Sequence, residues 1–137
     1  MDMTGEYKIA APRERVWAAL NDPDILRKAI PGCEELNKLS GTELEVVAKA
    51  KIGPVGARFK GKVVLSDMNP PDGYTLTGEG SGGSAGFAKG EAKVSLESDG
   101  DTTILRYTVK AMIGGKLAQL GQRLVDGAAK KMADEFF

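Results

Sequence analysis

Apolar and polar residues alternate with a period of two along most of this chain, which is typical of β-strands with one buried face. In residues 2–9, for example, Tyr7 and Ile9 fall on one side while Glu6 and Lys8 fall on the other. The same alternation returns beyond residue 34 and continues to residue 113. The predicted strands are residues 2–9, 35–39, 44–52, 57–65, 74–80, 88–96 and 105–113.

Two short helices are predicted between the first two strands. Pro12 suits the first position of a helix, because the N–H that proline lacks has no partner there. Asp22 is placed to cap a second helix, with Pro23 in its first position. The turn Ile30-Pro31-Gly32 ends that helix.

The last 22 residues, Lys116 to Phe137, carry apolar residues at spacings of three, four and seven, which predicts one long helix. Its length would be roughly 33 Å, enough to cross a small domain. Gly121 interrupts the stripe and Gly127 lies on its edge. Each glycine reflects either close packing and local strain or a space left for something other than side chains. The stripe consists of Leu117, Leu120, Leu124, Val125, Ala128 and Met132.

Short turns such as Gly53-Pro54 and Asp99-Gly100-Asp101 join consecutive strands, so the sheet is predicted to be an antiparallel meander. A sheet with one apolar face must cover that face, and the terminal helix has the length and the stripe to do so. No repeat or linker interrupts the pattern. We therefore predict a single α+β domain over residues 1–137: a strand, two short helices, six more strands of a curved sheet, and a long helix packed across it.

Composition narrows the chemistry. The chain has 19 basic and 19 acidic residues and no basic block, which argues against nucleic-acid binding. It has no histidine, so catalytic triads and most catalytic zinc sites are excluded. A single cysteine, Cys33, excludes an internal disulfide and suits a reducing compartment. Without a signal-peptide pattern or a long apolar run, we expect a cytoplasmic protein with no metal or cofactor.

The residues predicted to face inward are small in the middle of the strands, where a solid core would have Leu, Ile or Phe. Either the sheet bends sharply and the helix packs close, or a cavity remains between them. We predict a cavity that holds an apolar ligand mainly by shape. The small residues are Ala48, Ala50, Gly61, Gly78, Gly80, Gly90 and Ala92.

Most of the candidate ligand-binding residues follow from this prediction. One of the three tyrosines is a candidate hydrogen-bond donor to a ligand carbonyl, and Trp17 is either core or a ligand platform. The full set is Tyr7, Trp17, Phe59, Gly61, Tyr74, Leu76, Gly78, Gly80, Phe87, Gly90, Tyr107, Val109, Leu117, Leu120, Gly121 and Leu124.

Other features favour structural roles. The glycine-rich run Gly78–Gly86 lacks the Gly-Lys-Ser/Thr ending of a phosphate loop, so a flexible hairpin at the cavity mouth is the better interpretation. Glu79 faces away from the apolar side, which disfavours a catalytic base. Cys33 is either packed or a reactive thiol. Phe136-Phe137 either packs on the sheet edge or contacts a membrane or partner.

Several stretches resemble the carbon monoxide dehydrogenase CoxG family of the START-like, helix-grip superfamily, which also includes pollen-allergen and polyketide-cyclase-like proteins. The resemblance covers essentially the whole chain, and the Ile-Pro-Gly-Cys and glycine-rich stretches are the most specific. The matching stretches are Ala11–Trp17, Asn21-Asp22-Pro23, Ile30–Cys33, Phe59-Lys60-Gly61, Gly78–Gly83 and Gly114–Gly121.

This resemblance implies a non-enzymatic accessory protein of a molybdenum hydroxylase of the carbon monoxide dehydrogenase type. Roles suggested for the family are cofactor maturation, recruitment to the membrane, or handling of a lipophilic electron acceptor. The predicted cavity favours the last role, with a quinone- or lipid-like ligand. A maturation or membrane-recruitment factor with an incidental cavity stays open as an alternative, and a cyclase- or hydrolase-type enzyme ranks behind both.

Overall fold

The structure, a computed structural model, describes residues 1–137. Its elements follow the predicted order of a strand, two helices, six strands and a helical C-terminus. They are β1 (Asp2–Ile9), α1 (Arg13–Leu20), α2 (Pro23–Ala29), β2 (Cys33–Lys38), β3 (Glu43–Ile52), β4 (Val55–Asn69), β5 (Gly73–Ser81), a 3₁₀ turn (Gly83–Ala85), β6 (Phe87–Asp99), β7 (Thr102–Gly114), α3 (Lys116–Gln119) and α4 (Gln122–Phe136).

All seven strands form one antiparallel, curved sheet with the order β1-β7-β6-β5-β4-β3-β2. Strands β2 to β7 are joined as a meander, as the short turns predicted. Strand β1 pairs with β7, and β2 forms the opposite edge of the sheet. The helices α1 and α2 therefore carry the chain from one edge of the sheet to the other.

Both short helices begin close to the predicted positions. Pro12 is the residue before α1 rather than its first residue, because its ψ of 153° is extended. Asp22 caps α2 as predicted: its Oδ1 accepts a hydrogen bond from the backbone N–H of Asp24 at 2.9 Å. Pro23 then occupies the first helical position, where its missing N–H costs nothing.

The densely packed core lies at one end of the molecule. It is built mainly from β5, β6 and β7 with one residue from α1, and Leu105 at its centre is completely buried. The neighbouring Thr103 is also completely buried, and its hydroxyl donates a hydrogen bond to the carbonyl oxygen of Ala11 at 2.7 Å. The core cluster is Val16, Leu65, Tyr74, Val94, Leu96, Leu105 and Tyr107.

The predicted single helix over residues 116–137 is wrong in one respect, because two helices occupy this region. Helix α3 ends at Gln119, and Gly121 has a φ of +90°, which disfavours any residue with a side chain. The N–H of Gly121 bonds back to the carbonyl oxygen of Ala118, which closes α3. Gly121 therefore breaks the helix, and α4 starts in a new direction at Gln122.

Candidate functional site

A cavity of about 470 Å³ lies between the sheet and the C-terminal helices, away from the dense core. Strands β3 to β6, the Ile30-Pro31 turn, α3 and α4 all contribute to it. Its volume falls in the range of pockets that hold small organic ligands. The walls are formed by Ile30, Pro31, Ala48, Ala50, Ile52, Phe59, Gly80, Ala88, Leu117, Met132, Ala133 and Phe136.

The chemistry of these walls is uniform, since no wall side chain is charged or can donate a hydrogen bond to a ligand. Leu117 is buried, whereas the other wall residues are partly accessible to solvent, so water reaches the cavity. An apolar surface of this kind gains free energy when a hydrophobic molecule displaces the water. The arrangement suits a hydrocarbon chain or ring rather than a polar group.

Two inward-facing glycines separate the alternatives of a tight bend and an open space. A Cβ placed on Gly61 would lie 3.0 Å from the carbonyl oxygen of Glu79, so the adjacent strand approaches too closely for a side chain. A Cβ on Gly80 would have its nearest neighbour at 3.6 Å, which is an ordinary contact. Gly61 therefore serves the bend, whereas Gly80 opens onto the cavity.

The structure brings three of the sixteen candidate residues together on the cavity wall: Phe59, Gly80 and Leu117. Most of the larger candidates lie in the dense core or pack against it instead. The ring of Trp17 meets that of Tyr74 edge-on at 5.4 Å between centroids, which places Trp17 in a packing role. The candidates in or against the core are Tyr7, Trp17, Tyr74, Leu76, Tyr107 and Val109.

The remaining candidates lie elsewhere. Phe87 is on the opposite, outer face of the sheet and is 43% exposed, because Ala88 takes the inward position. Leu120 and Gly121 form the break between α3 and α4. Leu124 is exposed and lies over the turn at Gly53. The other three candidates line grooves of the outer face where the sheet bends: Gly61, Gly78 and Gly90.

Nine wall residues were missed as candidates. The alternation of β3 and β6 does place Ala48, Ala50 and Ala88 on the inward face, so a signal for these three existed. The contribution of the Ile30-Pro31 turn depends on how far the sheet curls over, which no local pattern reports. The missed residues are Ile30, Pro31, Ala48, Ala50, Ile52, Ala88, Met132, Ala133 and Phe136.

Two larger concavities, of about 570 and 620 Å³, lie on the outer face of the sheet. They share Lys62, Glu79 and Lys89, and charged side chains make up much of their lining. The glycine-rich run leads from this face through a 3₁₀ turn into another strand rather than into a helix, which agrees with a hairpin and not a phosphate loop. These concavities lack the continuous apolar surface of the inner cavity.

Two reactive groups have unusual environments. Burial raises the pKa of the Cys33 thiol, which disfavours the thiolate needed for reactivity at neutral pH. Burial also raises the pKa of Tyr74 to about 12, so this phenol stays protonated. Neither residue lines the cavity.

The end of α4 is attached to β1 through Tyr7. The Tyr7 hydroxyl donates a hydrogen bond to Oδ1 of Asp134 at 2.6 Å, and Lys130 approaches Oδ2 of the same carboxylate at 3.5 Å. The ring of Phe137 packs on Tyr7 with centroids 4.7 Å apart. Phe137 thus packs beside the edge strand, while the adjacent Phe136 lines the cavity. These contacts hold one cavity wall in place.

We expect Tyr7→Phe to loosen this attachment. The Tyr7 hydrogen bond lowers the pKa of Asp134, with Lys130 acting in the same direction. A lowered carboxyl pKa stabilises the closed helix above the unfolded value of about 4, and this contribution is lost as the pH falls through the folded value. Amide hydrogen exchange at residues 131–137 should be severalfold faster in Tyr7→Phe than in the wild type at pH 7. The difference should shrink below about pH 4.

Tyr74→Phe is the matched control, because the raised pKa of Tyr74 reflects burial alone. It should leave exchange at the end of α4 unchanged. Equal exchange in the wild type and Tyr7→Phe at neutral pH would show that the hydrogen bond does not hold the helix.

The comparisons with known proteins agree with this geometry. The family model for the CoxG protein of carbon monoxide dehydrogenase matches residues 5–137. A conserved protein from Geobacillus kaustophilus of known structure is 33% identical, with a TM-score of 0.94 over 100% of this chain and 90% of that one. A search of curated proteins gave no match.

More distant structures share the fold. A START superfamily protein from Mycobacterium smegmatis is 15% identical, with a TM-score of 0.68 over 98% of this chain and 92% of that one. The Zhui aromatase/cyclase from Streptomyces sp. R1128 is 12% identical, with a TM-score of 0.70 over 98% and 87% of the two chains. None of the helices combines the length and apolar character that crossing a bilayer requires. The chain belongs to the carbon monoxide dehydrogenase CoxG family and has the START-like, helix-grip fold that its sequence predicted.

Proposed function

We propose that this protein is a non-enzymatic carrier that binds a hydrophobic small molecule, quinone- or lipid-like, between its sheet and its C-terminal helices. The observation that carries the proposal is the cavity of about 470 Å³, whose walls are apolar and reached by water. The ligand would be held by burial of its hydrocarbon part, since the walls offer no hydrogen-bond donor side chain.

The wall chemistry also supports a role without catalysis. General acid–base chemistry needs a titratable group within hydrogen-bond reach of the substrate. The wall side chains include no carboxylate, lysine, tyrosine or thiol. The aromatase/cyclase among the structural neighbours shares the fold, and the same fold hosts both binding and catalysis, so the site decides.

The family name suggests the partner: a molybdenum hydroxylase of the carbon monoxide dehydrogenase type. A soluble redox enzyme whose electrons go to a lipophilic acceptor needs that acceptor delivered to it. A carrier that buries the acceptor's apolar part lets the acceptor cross water at low cost. The protein would serve this step as an accessory factor.

Loading and release would occur by movement of α4. This helix begins after the glycine at position 121, which tolerates large backbone rotation, and it ends at the Tyr7–Asp134 contact. Met132, Ala133 and Phe136 are its contribution to the wall. Rotation about Gly121 with loss of the Tyr7 contact would open the cavity without unfolding the sheet.

Ligand discovery on the purified protein tests the proposal. Organic extraction followed by mass spectrometry should release a lipophilic molecule. Adding quinones or long-chain lipids at about 100 times their Kd should raise the Tm by roughly 10 °C, since such saturation adds about 2.7 kcal/mol of stability. An empty extract combined with no thermal shift across quinones, fatty acids and isoprenoids would reject the carrier.

A maturation or interaction factor is the second candidate, and the outer face favours it. The two outer concavities, with the exposed side chains of Phe87 and Met112, offer a large surface for a protein partner. Pull-down of a molybdenum hydroxylase by a variant whose cavity is filled would support this role. Loss of the pull-down on filling the cavity would support the carrier.

A further inference from the structure

A groove of about 170 Å³ runs beside the cavity, where α4 faces the end of β3. It shares Pro31, Ala50 and Met132 with the cavity, so the groove and the cavity are adjacent along this seam. Strand β2 pairs with β3 only as far as Ala48. The end of β3 is therefore a free edge, and a molecule can approach the cavity there. The groove is completed by Gly32, Lys49, Lys51, Ala128, Lys131 and Glu135.

The charge at this seam is strongly positive. Lys49, Lys51 and Lys131 are exposed, and none of them has an acidic partner within 4.0 Å. The lysines of the neighbouring strand differ: Lys60 pairs with Glu45 at 3.0 Å and Lys62 with Glu43 at 3.5 Å. Glu135 is the only acidic residue lining the groove. A chain with no net charge thus concentrates unpaired cations beside its cavity.

An exposed apolar side chain lies close to these lysines. Leu124 of α4 is 42% exposed and lies over the tip of the β3–β4 hairpin. Its Cδ2 atom would be 2.8 Å from a Cβ placed on Gly53, two residues beyond Lys51. Lysines around an exposed leucine are typical of surfaces that lie at the lipid–water boundary.

We propose that this seam surface, defined as Lys49, Lys51, Lys131 and Leu124, docks on anionic lipid bilayers and turns the cavity opening toward them. The inference rests on the proposed carrier function, because it supplies the place where a water-insoluble ligand enters. A bilayer fits the surface better than an acidic protein does. It supplies negative headgroups for the three lysines, a hydrocarbon layer for Leu124, and the lipophilic ligand itself.

Vesicle co-sedimentation of the whole protein tests the docking. The wild type should bind vesicles of mixed phosphatidylglycerol and phosphatidylcholine, and high salt should abolish the binding. The triple variant Lys49→Gln/Lys51→Gln/Lys131→Gln should bind roughly 100-fold more weakly, at about fivefold per lysine. The matched control Lys89→Gln/Lys93→Gln/Lys110→Gln removes the same charge from the outer face and should bind like the wild type.

Each outcome is decisive. Equal binding to pure phosphatidylcholine, or equal losses in the triple variant and its control, would overturn the docking proposal. Capture of an acidic protein in place of vesicles would assign the seam to a protein partner and overturn it as well. A quinone thermal shift that persists while the vesicles are not bound would reject the docking and leave the carrier standing. Vesicle binding without any bound lipophile would support the docking and reject the carrier.

Discussion

Replacing Ala48 and Ala88 with leucine is expected to abolish ligand binding while leaving the protein folded. Both alanines face the cavity, from β3 on one side and β6 on the other. Each leucine that displaces about 100 Å² of ligand contact removes about 2.5 kcal/mol of affinity, so the double variant should lose more than about a thousandfold. Isothermal titration with the ligand identified by extraction measures this loss. The Tm should stay the same or rise, because the new side chains fill empty space.

Ala18→Leu is the matched control for this experiment. Ala18 lies on the exposed side of α1 and does not line the cavity, so the same chemical change there should leave affinity unchanged. Unaltered affinity in the Ala48→Leu/Ala88→Leu protein would mean that the ligand binds elsewhere. The outer face of the sheet would then be the next site to test.

Leu105→Ala should produce the largest loss of stability of any single truncation in the chain. Leu105 is completely buried at the centre of the dense core, so its removal leaves a cavity that neighbouring side chains cannot close. Such truncations cost about 3 kcal/mol, which corresponds to a fall in Tm of roughly 10 °C for a chain of this size. Urea denaturation gives the free energy directly.

Leu39→Ala removes the same atoms from a side chain that is 52% exposed, and its free energy of unfolding should change by less than about 0.5 kcal/mol. Similar losses in both variants would contradict the separation between a dense end and a hollow end. Ligand affinity in Leu105→Ala, measured below its Tm, should be close to that of the wild type, because Leu105 does not line the cavity.

The strands were predictable because one face of the sheet is buried along its whole length. Alternation then fixes which residues face inward, and short turns fix the meander, as Ala48 and Ala88 illustrate. The break at Gly121 was not predicted, because an apolar stripe continues across it. A glycine at a positive φ and a glycine in a continuous helix look alike when only the spacing of apolar residues is considered.

The site was harder to predict than the fold. Alternation tells which face a residue is on but not how deep it lies, so Tyr107 and Val109 satisfied the same pattern as Phe59. Tyr107 and Val109 fall in or against the core, and Phe59 falls on the cavity wall. The difference comes from the curvature of the sheet. That curvature depends on close strand contacts such as the one at Gly61, which are made between residues far apart in the sequence.

The separation of the dense end from the hollow end leaves the molecule free to change its guest. Alanines on β3 and β6 set the depth available to a hydrocarbon chain, whereas Leu105 and its neighbours hold the sheet together elsewhere. Exchanging an alanine for valine or glycine would shorten or lengthen the accepted chain by a carbon or two. Relatives with different residues at positions 48, 50 and 88 should therefore select lipophilic molecules of different length on an otherwise unaltered scaffold.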